Sequence, residues 1–165
     1  MRADALAPQA MNDQALELAE WSRAVRESSL KRLRTVPTGS ENWRPVADAM
    51  SFGDLAHHIV EADEWLFRKL EARALEPIVG HAGAVTITTR EQYMQLLRDL
   101  EKSGTKRAQL VARFSDEQLR ERVDDRRFGG RVTIWWIVVR GNIDHEIHHR
   151  GQISAYLRMA GIDAP

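Results

Sequence analysis

The feature that most constrains the fold is the recurrence of apolar residues at three- and four-residue intervals in four long segments of the sequence. The segments cover about residues 8–34, 51–70, 89–115 and 133–161. Apolar residues at this spacing lie along one face of an α-helix, and that face must be buried against other helices. The pattern therefore predicts an all-α protein, a four-helix bundle with one longer connection.

Short polar motifs mark where these helices begin and end. Ser51-Phe-Gly-Asp54, Thr89-Arg-Glu-Gln92 and Ser115-Asp-Glu-Gln118 have the hydroxyl and the later carboxylate or amide of a capping box. The last of them predicts a short extra helical turn, and Gly161 is a natural end for the final helix. Between residues 122 and 133, two aspartates and two glycines flanked by valines predict a small hairpin or an ordered loop.

Length and composition limit the possible classes of protein. With 165 residues the chain is expected to form one domain over residues 1–165, with residues 1–8 flexible. Lys plus Arg and Asp plus Glu both number 24, so no net charge attracts nucleic acid. No apolar run approaches the roughly 20 residues of a membrane span, and the N-terminus lacks a signal peptide, so a cytoplasmic location is expected.

The absence of cysteine excludes disulfides and thiolate ligands, so a metal ion would need imidazole, carboxylate or water. Histidines supply such ligands. His145 and His149 are one turn apart on the apolar face of the last predicted helix, and His58 is on that of the second helix, with His57 the next candidate. A buried imidazole without a partner costs about 1–3 kcal/mol. The sequence therefore predicts a three-histidine metal site with an open position.

The remaining histidines, His81 and His148, are interpreted as surface residues or as supports for the ligands. Two other motifs overlap the last cluster. Residues 145–149 fit the His-Glu-x-x-His pattern of zinc peptidases, but no further histidine follows. Glu146 and His149 fit the Glu-x-x-His pattern of di-iron bundles, for which Asp54-Leu-Ala-His57 is the nearest second pair. We consider both alternatives less favoured than the three-histidine site.

The motifs also resemble those of a known family over nearly the whole chain. They are Trp43-Arg-Pro45, Ser51, Asp54-Leu-Ala-His-His-Ile59, His145, His149-Arg-Gly-Gln152-Ile and Leu157-Arg-x-x-Gly161. These segments resemble the DinB-like family, which is related to thiol-dependent S-transferases and maleylpyruvate isomerase. The resemblance implies a four-helix bundle, often a homodimer, with one divalent ion, zinc or nickel, held by His58, His145 and His149.

The expected function is that of a metal-dependent enzyme acting on a small molecule, by thiol S-transfer or by hydrolysis, with a low-molecular-weight thiol as a candidate co-substrate. Glu146 is the predicted catalytic base, and Glu61 and Asp144 are further candidates because each lies within a turn of a proposed ligand. Any of the three could instead hydrogen-bond the second ring nitrogen of a ligand. Gln152 is expected to orient a ligand or line the pocket, and Arg150 to pair with a carboxylate.

Two functions from other classes compete with this expectation. The first is a non-catalytic metal-binding or stress-response protein, in which the ion only stabilises the bundle. The second is a metal-free bundle that assembles through exposed apolar residues such as Trp135 or Trp136.

Overall fold

The described residues of the computed structural model are 13–73 and 75–165. The part of the first predicted helix before Asp13, and the flexibility expected of residues 1–8, lie outside these residues. The helices are α1 (Asp13–Leu33), α2 (Phe52–Ala72), α3 (Arg90–Val111), α4 (Asp116–Arg120), α5 (Ile134–Val138) and α6 (Asp144–Met159). Two strands, β1 (Arg122–Asp125) and β2 (Gly130–Thr133), lie between α4 and α5.

The long helices pack as a bundle, in which α1 contacts α3 and α6, and α2 contacts the same two helices. Apolar faces from all four fill the interior, with Leu18 and Leu66 at one end and Leu55 and Leu97 at the other. The predicted all-α bundle is thus confirmed. Within the described ranges, no helix combines the length and apolar character needed to cross a bilayer.

The three predicted capping boxes are present, and the one that begins α2 also holds a loop in place. The Ser51 hydroxyl accepts from the Asp54 backbone N–H at 3.1 Å, and the Asp54 carboxylate accepts from the Ser51 N–H at 2.9 Å. The same carboxylate accepts from the backbone N–H groups of Gly83 and Val85, both at 3.0 Å. The loop between α2 and α3 is therefore tied to the start of α2.

The segment before the last helix is a hairpin, the first of the two alternatives predicted for it. Strands β1 and β2 are antiparallel, with Val123 opposite Val132. A 3₁₀ turn at Arg126–Phe128 joins them, and Gly129 follows it with a φ of 76°, in the left-handed region that glycine tolerates best. The Ile134 backbone N–H donates to the Glu121 carbonyl at 2.8 Å, which fixes the hairpin against the start of α5.

The last predicted helix is continuous from α5 to α6 but contains a π-helical turn at Val139–Ile143. A π turn inserts one residue more than an α turn and shifts the faces of the helix that follows. As a result, Glu146 lies inside the bundle with an exposed fraction of 1%, while His145 is only partly buried. The π turn thus sets which side chains of α6 face α2.

Candidate metal centre

Three histidines meet between α2 and α6. The Nε2 atom of His145 lies 3.0 Å from Nε2 of His58 and 2.9 Å from Nε2 of His149. One ligand atom from each ring lies within 4.8 Å of the other two, an arrangement that could hold a metal ion. His58 and His149 are buried and His145 is partly exposed, so the cluster has one side closer to solvent. The structure therefore brings together the three residues predicted from the sequence.

The environment keeps these imidazoles neutral. Burial lowers the pKa of His145 to about 3 and that of His149 to about 4, with the neighbouring rings contributing. Burial also lowers the pKa of His58, although Glu61 opposes that shift. Neutral imidazoles offer lone pairs, which is the form that binds a metal ion. A cation between the three Nε2 atoms could accept a lone pair from each ring.

The orientation of His149 is fixed from outside the cluster. Its Nδ1–H donates to the Gln152 side-chain oxygen at 2.6 Å, so Nε2 carries the lone pair that faces the other two rings. A hydrogen bond to the second ring nitrogen is a common way of orienting a histidine ligand. The structure thus shows Gln152 orienting a proposed ligand, one of its two predicted roles.

The hydrogen bonding of His58 is less complete than that of His149. Its Nδ1 is buried and has no hydrogen-bond partner in the part of the chain that the structure describes, and Oε2 of Glu61 lies 3.7 Å away. Gly80, in the loop after α2, packs closely against the His58 ring. A Cβ at Gly80 would lie 2.9 Å from His58 Cγ and 2.7 Å from Met50 Sδ. The His58 ring fits at this place because Gly80 has no side chain.

The other histidines lie outside this group. His57 points towards Glu61, with Nε2 3.4 Å from Oε1, and a third of its side chain is exposed. Of the two alternatives left open by the sequence, His58 is therefore the one that joins the cluster. His148 and His81 are exposed, in line with the first of the two interpretations given for them. Arg150 has no carboxylate partner among residues 13–73 and 75–165, so the ion pair expected for it is not observed.

The Glu146 carboxylate belongs to a buried ion network that connects all four long helices. Arg26 of α1 donates from Nε to Oε1 at 2.8 Å, and Arg107 of α3 donates from Nη1 to Oε2 at 2.8 Å. Asp63 of α2 accepts from Arg26 at 2.7 Å and from Arg107 at 3.0 Å. Asn142 of the π turn also accepts from Arg107 at 3.0 Å. The two arginines and two carboxylates balance in charge, as buried ions generally must.

This network bears on the role predicted for Glu146. Burial alone would raise the pKa of Glu146, but the charges of Arg107 and Arg26 lower this pKa to about 2. The carboxylate is therefore ionised and is a weak proton acceptor. The geometry therefore does not favour Glu146 as a general base. Nor does it favour a di-iron site, because the Asp54 carboxylate is fully buried and engaged in capping α2. Asp144 is paired with Arg140.

Sequence reasoning missed the arginines of this network. No role was predicted for Arg26 or Arg107, yet their side chains are 4% and 0% exposed. A signal was present on α3, where Arg107 follows Ser103 and Gly104 in register with the buried Leu100. Small residues on an otherwise apolar face indicate room for a bulky side chain, and a Cβ at Gly104 would lie 2.6 Å from Nη1 of Arg26 on α1.

The fold and the cluster together define a class: an all-helical bundle with a three-histidine group between two of its helices. A family model for the DinB family matches residues 11–165, and the chain belongs to that family. The bundle is similar to the crystal structure of a DinB-like protein, YjoA, from Bacillus subtilis. The TM-score is 0.66 with 17% identity, over 90% of this chain and 96% of that chain. This likeness concerns the fold. No curated protein matches the sequence significantly.

Proposed function

We propose that this DinB family member is a metal-dependent enzyme that acts on a small molecule, by thiol S-transfer or by hydrolysis. The observation that carries the proposal is the convergence of three neutral imidazole nitrogens, Nε2 of His58, His145 and His149, between α2 and α6. Three histidine ligands leave a tetrahedral ion one position for a substrate, which is the usual arrangement of a catalytic site.

The residues present fit a divalent cation such as Zn²⁺ or Ni²⁺. The donor set contains imidazole nitrogen only, which suits both ions. Gln152 already holds His149 in the required tautomer, and the buried Nδ1 of His58 has an acceptor within a small movement, the Glu61 carboxylate. When bound, such an ion lowers the pKa of a thiol or a water molecule and so supplies a nucleophile at neutral pH.

Glu61 is the residue of this chain that we assign to proton transfer. Its side chain is 42% exposed and its two oxygens lie 3.4 and 3.7 Å from nitrogens of His57 and His58. Glu61 can therefore accept a proton from a substrate while remaining beside a proposed ligand. The other two candidates are engaged elsewhere, Glu146 by Arg26 and Arg107, and Asp144 by Arg140.

A thiol-transfer assay tests the proposal. The Zn²⁺- and Ni²⁺-loaded proteins are incubated with a low-molecular-weight thiol and a panel of small electrophiles, and loss of free thiol is followed. We expect turnover that requires the ion and falls in Glu61→Gln, with metal content unchanged. Glu64→Gln, an exposed position on the same helix, is the matched control and should retain turnover. A loaded site that takes up neither thiol nor any other exogenous ligand would contradict the proposal and favour a metal ion that only stabilises the bundle.

Two further parts of the proposal concern the protein as a whole. We propose that it functions as a homodimer in the cytoplasm. Trp136, which is 38% exposed, offers apolar surface for such an interface. Sedimentation equilibrium of the wild type and of Trp136→Ser tests the dimer, and a monomeric wild type would contradict it.

A further inference from the structure

Arg127 lies outside the histidine cluster but, like the cluster, between α2 and the last helix. The guanidinium carbon of Arg127, from the hairpin turn, lies 4.0 Å from the centroid of the Trp65 ring on α2. Its Nη1 donates to the Gly141 carbonyl in the π turn at 3.2 Å. A Cβ on Gly141 would lie 2.7 Å from Nη2 of Arg127. The missing side chain at Gly141 therefore makes room for the guanidinium between α2 and the last helix.

The position of Arg127 relative to the histidines follows from the helices that hold both. Trp65 is seven residues after His58 on α2, and Gly141 is four residues before His145 on the last helix. Four residues are about one turn, or about 5–6 Å along the helix axis. His58 and His145 meet between these same segments. Arg127 thus lies about one to two helical turns from the cluster, on the side towards the hairpin.

The guanidinium is held rigidly but is not saturated. Asp125 accepts from Nε at 3.0 Å and from Nη2 at 2.7 Å, while Gly141 accepts from Nη1. A guanidinium carries five N–H groups. Within residues 13–73 and 75–165 the structure gives no acceptor to the second hydrogen of Nη1 or of Nη2. Two N–H groups on the terminal nitrogens match the two oxygens of a carboxylate.

The charge around Arg127 also favours an anion. Asp125 is buried, with 3% exposed, and Arg127 is its ion-pair partner. Lys69, with 1% exposed, donates to the Asp124 carbonyl, and its charge acts on Asp125. Two cations and one buried carboxylate leave this cluster with one net positive charge. A positive charge on a partly buried side chain attracts anionic groups more strongly than the same charge in open solvent.

We propose that Arg127 forms an anion subsite beside the three-histidine centre, and that the substrate is a small organic acid. Such a molecule presents a carboxylate to Nη1 and Nη2 of Arg127 and a thiol or another donor atom to the centre about one to two helical turns away. Arg127 is then a specificity-determining residue. The inference rests on the proposed function, because it places the substrate at the same centre.

A pair of thiols tests the subsite. Cobalt-loaded protein is titrated with 3-mercaptopropionate, which carries a carboxylate, and with 2-mercaptoethanol, which does not, and the thiolate-to-cobalt absorption band is followed. Wild type should bind 3-mercaptopropionate at least about tenfold more tightly, the contribution expected of a hydrogen-bonded charge pair. Arg127→Gln should lose this preference and keep its affinity for 2-mercaptoethanol. Arg126→Gln, at an exposed neighbouring position, should keep the preference.

Because Arg127→Gln leaves the buried Asp125 without its partner, the double variant Asp125→Asn/Arg127→Gln is measured as well, with folding checked by circular dichroism. The preference is the ratio of the affinities for the two thiols, measured in one variant. A general loss of stability lowers both affinities and leaves their ratio unchanged. A wild type without a preference, a preference that survives in both variants, or an equal loss of affinity for the two thiols would overturn the proposal.

A metal-free measurement separates this inference from the proposed function. If neither thiol produces the absorption band, the thiol chemistry fails, and the subsite is then examined by titrating metal-free protein with succinate. The Arg127 Nε–Hε signal in a proton–nitrogen NMR spectrum is identified by its disappearance in Arg127→Gln. A saturable shift of that signal, with no shift at Arg126, supports the subsite. No shift at Arg127 overturns it.

Discussion

Replacing Glu146 with glutamine tests the physical account of the bundle interior. The substitution keeps the size of the side chain but removes the negative charge that faces Arg26 and Arg107. Those two arginines lower the pKa of Glu146 from 4.5 to about 2. A pKa difference of this size between the unfolded and folded protein corresponds to about 3 kcal/mol of stability at neutral pH. We therefore expect Glu146→Gln to lower the free energy of unfolding by about that amount.

The sign of the pH dependence follows from the lowered pKa. The ionised carboxylate stabilises the folded state at pH values above its unfolded pKa of 4.5, and this contribution is lost as the pH falls towards the folded value of about 2. The difference in unfolding free energy between wild type and Glu146→Gln should therefore shrink by about 2 kcal/mol between about pH 7 and about pH 3.

The assay is urea unfolding followed by far-ultraviolet circular dichroism, with a chelator present so that metal binding does not contribute. Glu101→Gln is the matched control, because Glu101 pairs with Arg34 at the surface and both side chains are at least half exposed. Its unfolding free energy should change by less than about 1 kcal/mol. A Glu146→Gln protein as stable as wild type at neutral pH would refute the reasoning. If that protein also lost turnover with metal bound, Glu146 would again be the better candidate for the base.

Two further predictions concern the residues that position the ligands. Gly80→Ala places a Cβ 2.9 Å from His58 Cγ, and it should weaken Zn²⁺ binding and lower stability by about 1–3 kcal/mol. The control is Gly151→Ala, at an exposed helical position with open space. In this control Zn²⁺ affinity should stay unchanged, and stability should stay unchanged or rise by up to about 1 kcal/mol. Wild-type Zn²⁺ affinity in Gly80→Ala would contradict this. Gln152→Ala removes the acceptor of the His149 Nδ1–H and should reduce Zn²⁺ affinity by about 10–100-fold in a competitive chelator titration, whereas an unchanged affinity would show that His149 needs no such support.

Much of the fold could be predicted because local patterns and tertiary packing agree. The hydroxyl and carboxylate of the Ser51 capping box locate the start of α2 within a residue. The spacing of His145 and His149 places both rings on one side of a helix whichever turn geometry precedes them. Such features depend on a few neighbouring residues, and the sequence contains all of them.

Features that depend on contacts between distant segments could not be predicted in the same way. The π turn before α6 changes the facing of Glu146, and nothing in Val139–Ile143 signals an extra residue in that turn. Which of the adjacent histidines on α2 faces the cluster depends on how that helix is rotated about its axis. The sequence alone therefore did not decide between His57 and His58 as the third ligand. Arg127 lies between Trp65 and Gly141 only because the hairpin folds back towards the π turn.

Metal content measured by inductively coupled plasma mass spectrometry tests the central claim most directly. The untagged protein is purified without added metal, alongside alanine variants of His58, His145 and His149. His57→Ala is the matched control, since His57 is adjacent to a proposed ligand but outside the cluster. We predict near-stoichiometric zinc or nickel in the wild type and in the control, and a loss of metal in each of the other three variants. Protein without bound metal, or binding that does not depend on these three histidines, would contradict the account.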